Sequence, residues 1–343
     1  MTKLFSSNGY KINFLHAHRT FAFKFNRPFL AKTFKFADLH LKNMMRNLRR
    51  PVALLALPAV AFLILLVIYP TVYLWGMMFF SFHPARDPYP IFVGLSNFGI
   101  LMRDSESWWS LLRTLLLMSM SVPIQIALGI FLAVLFTSKY TRGSLMLRVL
   151  ILIPMMIPSV IIGLNWKTIL YSHGPLNEFI KSIGLEPQAW LSAPFGNPSN
   201  TLICLAILDV WQWTPFITLA MVSAFESIPR DIYEAAYIDG ASEFKIFRLI
   251  TLPMSKSSFI TILMLRVIDS LKIFDTVYAL TYGGPGNATT TYPFYIFKTG
   301  FTLMSLYPSY GYTALLSIIL LGVATALTTV IMKILKINEI LWG

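Results

Sequence analysis

The chain has 343 residues, of which 56% are hydrophobic and only 13% charged, and its mean hydropathy is +0.65. A soluble domain carries about 25% charged residues, so the main solvent of this chain is lipid. The net charge of +13 does not mark a nucleic-acid binder, because residues 1–50 hold eleven Lys/Arg against one acid and the remainder is nearly balanced. A single cysteine, Cys204, excludes an intrachain disulfide. The histidines (His16, His18, His40, His83, His173) all lie outside the apolar runs, so no buried metal site is readable.

Residues 1–50 form a basic N-terminal extension that alternates basic and aromatic residues, as in Phe21 to Arg27. Two readings stay open. The segment lies on an anionic inner leaflet with its Phe side chains in the interface, or it is a disordered positive-inside tail or an overlong start, with Met44 or Met45 as the true first residue. A secretory signal is excluded, because the uncharged run Pro51 to Phe82 far exceeds the ~7–15 residues of a signal core.

Six runs are long enough to cross the hydrocarbon core, which takes about 20 residues. They are Pro51–Phe82, with Pro58 and Pro70 as kinks, then about Thr114–Phe136, Val149–Trp166, Thr201–Phe225, Ser258–Leu280 and Tyr312–Leu335. The predicted fold is all-α, a polytopic membrane bundle of six core helices occupying residues 51–343. Six spans place both termini on one side. The segments on that side carry nineteen Lys/Arg against six on the other, so the positive-inside rule puts the termini and the loop at 226–257 in the cytoplasm.

Polar groups inside the spans are expensive and should face protein or water. Span four holds Asp209, Trp211, Gln212 and Trp213; span five holds Arg266, Asp269, Lys272 and Asp275, spaced by three with alternating sign. Such spacing permits direct pairing along one helix, which predicts a self-neutralising structural ladder. The other reading is a polar wall along a translocation path. There Asp209 and Gln212 would bond hydroxyls while an aromatic ring covers sugar C–H surface. Trp211 and Trp213 point to different faces, so only one can line the path.

Between spans four and five lies the polar stretch Ile228 to Met254. Pro229 suits the first turn of a helix, Gly240 can close that helix in the left-handed conformation, and Ser242 with Glu243 suits the start of a second. The reading is a helix–turn–helix finger, with Pro253 where the chain bends into the next span. The spacing of Glu234, Ala235, Ala236, Gly240, Ile250, Leu252 and Pro253 (EAA-x3-G-x9-I-x-LP) resembles the signature of permease subunits of bacterial binding-protein-dependent ABC importers. Phe274 to Thr289 and Pro293 to Phe301 are similar to the carbohydrate group of that family, which includes the maltose and glycerol-phosphate permeases. A Tyr at 282 stands where members often have Gly. The resemblance covers residue 51 to the end.

The resemblance implies a permease subunit that carries a sugar or sugar-like solute across the bacterial inner membrane, with the finger docked on a cytoplasmic ATPase. It implies two ATPase copies, a second permease subunit and an external solute-binding protein. No GxxxxGK[ST] occurs in the chain. Hydrolysis is therefore expected on a partner, which would hold the ATP and Mg, with no cofactor on this chain. Alternatives are an importer of a non-carbohydrate solute, an ATP-independent carrier or channel, and a membrane-embedded transferase. The transferase would need a His or paired carboxylates near one face, and no span contains a His. The acid-poor N-terminus leaves an organellar location as a weaker reading.

Overall fold

The computed structural model describes residues 51–83, 86–138, 141, 143–191, 198–301 and 310–335; the readings of residues 1–50 lie outside them. The chain divides after Pro70 into two units. In the first, α1 (Pro51–Leu63) runs into a π-helical turn at Ile64–Ile68. Pro70 lacks an N–H and its ring crowds the carbonyl four residues back, and the widened turn just before it relieves both conflicts. The helix carries on as α2 (Tyr69–Met77), and Leu55–Met77 is long and apolar enough to cross a membrane.

The second unit opens with the rest of α2, from Thr71, and a small antiparallel ribbon of β1 (Phe80–Ser81) and β2 (Ile91–Phe92), in which Phe80 pairs with Phe92. Next come α3 (Ser96–Arg103) and α4 (Ser105–Thr137). Then follow α5 (Ser144–Ile151), α6 (Ile153–Met156), α7 (Ser159–Ile169) and α8 (Pro175–Ser182). The long α9 (Pro198–Glu226) leads to α10 (Arg230–Ile238), α11 (Glu243–Ile246), a second π-helical turn at Phe247–Thr251, and α12 (Leu252–Met254). The chain ends in α13 (Lys256–Ser270), α14 (Asp275–Leu280), α15 (Tyr292–Phe301) and α16 (Tyr310–Ile334).

Among the described residues four helices, including α4, α9 and α16, are long and apolar enough to cross a membrane, and two bent pairs bring the number to as many as six if each pair is one span. Spans two, four and six match their predicted positions. The third and fifth do not run as the straight helices expected. In the third, Ser144–Met156 and Ser159–Ile169 meet at 88°. Pro158 forces Ile157 into extended geometry (φ −86°, ψ 131°) and so ends the helix before it. In the fifth, α13 stops at Ser270. Lys272 N bonds Asp269 O and Ile273 N bonds Ser270 O, so the ladder tightens to three-residue spacing, and Phe274 (φ −130°, ψ −57°) breaks it before α14 starts.

The core is built on α4 against α9. A side chain at Gly129 would meet Ile217 Cγ2 at 2.5 Å. Glycine there lets the two backbones approach, as small residues do between membrane helices. Ala133, Ile217, Met221, Phe225 and Ile262 fill one end of this seam. A second cluster joins Leu117, Ile162, Leu205, Val277 and Phe294, and a third joins Leu101, Tyr292, Tyr312 and Leu316. At Gly163 an added Cβ would lie 2.7 Å from Ala279, so α7 and α14 also touch at their small residues.

Candidate transport path and coupling finger

The buried charges close on one another across three helices. Arg266 of α13 donates from Nη2 to both carboxylate oxygens of Asp209 on α9 (2.7 and 2.6 Å) and from Nε to Gln125 Oε1 on α4 (2.6 Å). Gln125 Nε2 returns to Asp209 Oδ2 at 2.8 Å and to its carbonyl at 3.0 Å. The guanidinium lies 5.2 Å from the centre of the Trp213 ring. Both carboxylate oxygens of Asp209 and the Nη2 and Nε of Arg266 have partners, which is what makes a buried ion pair tolerable. Arg266 thus leaves the expected ladder: it pairs with Asp209 rather than with Asp269, and Asp275 starts a separate helix. Of the ladder only Asp269 and Lys272 bond, at 2.9 Å.

That remaining pair is exposed, 42% for Asp269 and 62% for Lys272, and Asp275 is exposed beside it. Trp211 presents a half-exposed ring held edge-on by Trp166 at 5.9 Å. Gln212 is buried, its Nε2 reaching Ser159 Oγ at 3.0 Å and so tying α9 to the bend at Pro158. Gln125 was missed by the sequence reading. It is the one amide in an apolar run, and that isolation was the signal.

At the end of α4 remote from the finger, Asp104 accepts the hydroxyls of Tyr295 and Tyr312 through Oδ2 and caps α4 through Ser107 N (3.2 Å). Burial, aided by the Asp104 charge, pushes the Tyr292 phenol up to about 12. The same causes raise that of Tyr295. Asn177 pins the loop after α7, bonding the carbonyls of Ser172 (3.0 Å) and Gln188 (2.9 Å) and accepting from Trp190 Nε1 (3.0 Å).

At the other end stands the finger. Pro229 takes the position just before the helix rather than within its first turn, with φ −55° and ψ 136°. α10 closes through Ala241 N to Ala236 O and Gly240 N to Tyr237 O, with Gly240 at φ +76°. Ser242 Oγ accepts from Lys245 N (3.4 Å) and caps α11. Tyr233 Oη meets Thr251 Oγ1 at 3.2 Å and joins the two arms. The turn into α13 is 68°, at Ser255 rather than at Pro253. Glu234 and Ala235 are exposed and Ala236 is buried; Ile250 is half-buried, Leu252 and Pro253 exposed. Between the arms Ile238 (87% exposed) and Phe244 (70%) stand free of the protein interior.

Among the described residues, four helices long and apolar enough to cross a membrane, and up to six with the bent pairs, mark a multi-pass helical membrane protein. The chain belongs to the family of binding-protein-dependent transport system inner membrane components, whose model matches residues 125–336. It is 35% identical over 286 residues to the trehalose/maltose transport system permease protein MalF of Thermococcus litoralis, covering 82% of this chain and 92% of that one. The lactose transport system permease protein LacF of Rhizobium radiobacter is 30% identical over 275 residues, 79% of this chain and 89% of that one. The sulfoquinovosyl glycerol transport system permease protein SmoG of Agrobacterium fabrum is 31% identical over 287 residues, 83% and 90% of the two chains. The fold is similar to that of a bacterial ABC transporter involved in the import of the acidic polysaccharide alginate, with a TM-score of 0.72, 21% identity and coverage of 86% and 98%.

Proposed function

We propose that this chain is the permease subunit of an ABC importer for a sugar or sugar-like solute, with hydrolysis of ATP on a separate cytoplasmic subunit. The observation that carries the coupling half is the finger: a helical pair closed by Gly240, with Glu234 exposed on one arm and Ile238 and Phe244 bare at the turn. Apolar side chains with a flanking charge suit docking in a cleft of another protein, where they anchor and orient it. The relatives that transport trehalose, maltose and lactose support the sugar half.

In this reading Glu234, Ala235, Ala236, Gly240, Ile250, Leu252 and Pro253 shape the contact with an ATPase dimer. A second permease subunit completes the pore, and an external binding protein delivers the solute. Asp269, Lys272 and Asp275 border the path with Trp211, because charges this exposed would be costly against lipid. Asp209, Gln212 and Arg266 hold the helices that form the path. Closure of the ATPase moves the finger, and α9 and α13 carry that motion to the pore by alternating access. The protein then sits in the cell membrane with both termini inside.

A tag on this chain should retrieve an ATPase and a second permease from native membranes, and the complex in vesicles, with the external binding protein supplied outside, should take up maltose, trehalose or lactose with ATP inside. Recovery of the chain without an ATPase would contradict the importer. An ATP-driven complex with no sugar uptake would leave the importer standing and refute the carbohydrate assignment.

A further inference from the structure

The short helix α14 buries Thr276, Val277, Ala279 and Leu280 and turns out only Asp275 and Tyr278. Extended in both directions, the exposed positions are Lys272, Asp275, Tyr278 and Tyr282, with the half-buried Asp269 paired to Lys272 ahead of them. Along the chain they make a stripe, charged at its start and aromatic at its end, interrupted by the break at Phe274 between α13 and α14. The two tyrosine rings meet at 5.4 Å, edge to face. Phe294 supports Tyr282 from 5.3 Å, Phe297 lies 5.9 Å from Tyr278, and Phe274 stacks on Tyr278 at 5.7 Å. Phe294 is fully buried in the core while Tyr278 and Tyr282 are 42% and 54% exposed, so fixed rings hold exposed ones in place.

Tyr282 is the one non-glycine residue with positive φ (52°) among those described. A bulky aromatic rarely occupies that region, and side chains held there mark sites where placement outweighs local comfort. Glycine would serve the turn without strain, so the ring itself needs another reason.

We infer that Tyr278 and Tyr282 form an aromatic platform that receives the carbohydrate at the end of the path remote from the finger. This rests on the sugar-importer reading above. A sugar ring is itself two-sided, with C–H faces that cover aromatic surface and hydroxyls that take hydrogen bonds. The stripe offers both in sequence, rings first and then the Asp275, Lys272 and Asp269 charges. Lipid would match the rings but not the charges that continue them.

The turn supplies a test free of folding artefacts. Tyr282→Gly and Tyr282→Asn both suit positive φ and remove the ring, whereas Tyr282→Phe keeps it. The full importer, purified through this chain and placed in vesicles, is assayed for initial uptake of labelled maltose, trehalose and lactose, with yield and thermal stability of the complex measured alongside. The platform predicts that Gly and Asn match the parent in yield and stability yet lose roughly three- to tenfold in uptake rate, while Phe retains most of it. Unchanged uptake in all three variants would overturn the platform and assign the rings to the membrane interface. Loss of assembled complex in the Gly and Asn variants would also overturn it, in favour of a subunit contact. If the parent complex drives ATP hydrolysis but takes up none of the three sugars, the carbohydrate reading fails and the platform falls with it.

Discussion

Arg266 is 1% exposed and commits its Nη2 to Asp209 and its Nε to Gln125. Removing one member of such a pair leaves a charge buried and uncompensated, at a cost of about 3–5 kcal/mol. Arg266→Met should therefore sharply reduce folded protein in detergent, judged by gel filtration, and adding Asp209→Leu should recover part of it. Equal yields for the single and double variants would contradict the network. The Tyr292 and Tyr295 phenols give a pH signature. Both are raised above the ordinary value near 10. Above that value the unfolded chain releases protons that the folded chain holds, so stability is full below about pH 10 and falls as pH rises towards about 12. Thermal unfolding across that range should show the decline, shallower in Tyr292→Phe. The individual polar residues were legible in the sequence, but their partners were not. Spacing by three speaks only of one helix, and Asp209 is 57 positions from Arg266.

At the scale of elements, the start of α16 is wedged against the end of α2 and β1. A Cβ at Gly311 would lie 2.9 Å from Met77 O and overlap Phe80 O. Asn97 holds the same corner by donating to Met78 O and Phe80 O at 2.8 and 3.0 Å. Gly311→Ala should cut the yield of folded protein. Gly322→Ala, in open space on the same helix, should leave it unchanged or raise stability by up to about 1 kcal/mol; equal behaviour of the two would refute the wedge. The same contrast explains which elements could be read ahead. The bend before α7 has a local cause in Pro158, visible in the sequence although the run was read as straight. The break between α13 and α14 has none, since Leu271 to Phe274 includes neither Gly nor Pro. The turn of the finger was readable because its caps, Gly240 and Ser242, act locally, whereas Pro229 and Pro253 took other places than expected.

For the whole molecule, the nineteen-to-six asymmetry of Lys/Arg fixes the expected orientation. In a Cys204→Ala background, cysteines at Ser172 and Asn287 should react with an impermeant thiol reagent outside intact cells, whereas cysteines at Asp239 and Ser257 should not. All four positions are exposed, so reversed labelling would overturn the orientation and the coupling role together. The apolar runs are properties of the entire chain, which is why a helical membrane protein of several candidate spans was legible before any contact was known.

The central claim is that the finger transmits ATPase motion to the path, and Gly240 is where it is most exposed to test. Its φ of +76° and its N–H bond to Tyr237 O close α10. Proline permits neither, since it fixes φ near −65° and has no N–H. The decisive measurement is ATP-driven solute uptake in vesicles by the purified Gly240→Pro complex, with ATPase retention recorded on the same preparation. The account predicts a membrane-inserted chain that loses its ATPase, or keeps it and transports nothing. Uptake and ATPase retention equal to the parent would show that the finger is a passive loop, and would contradict the account.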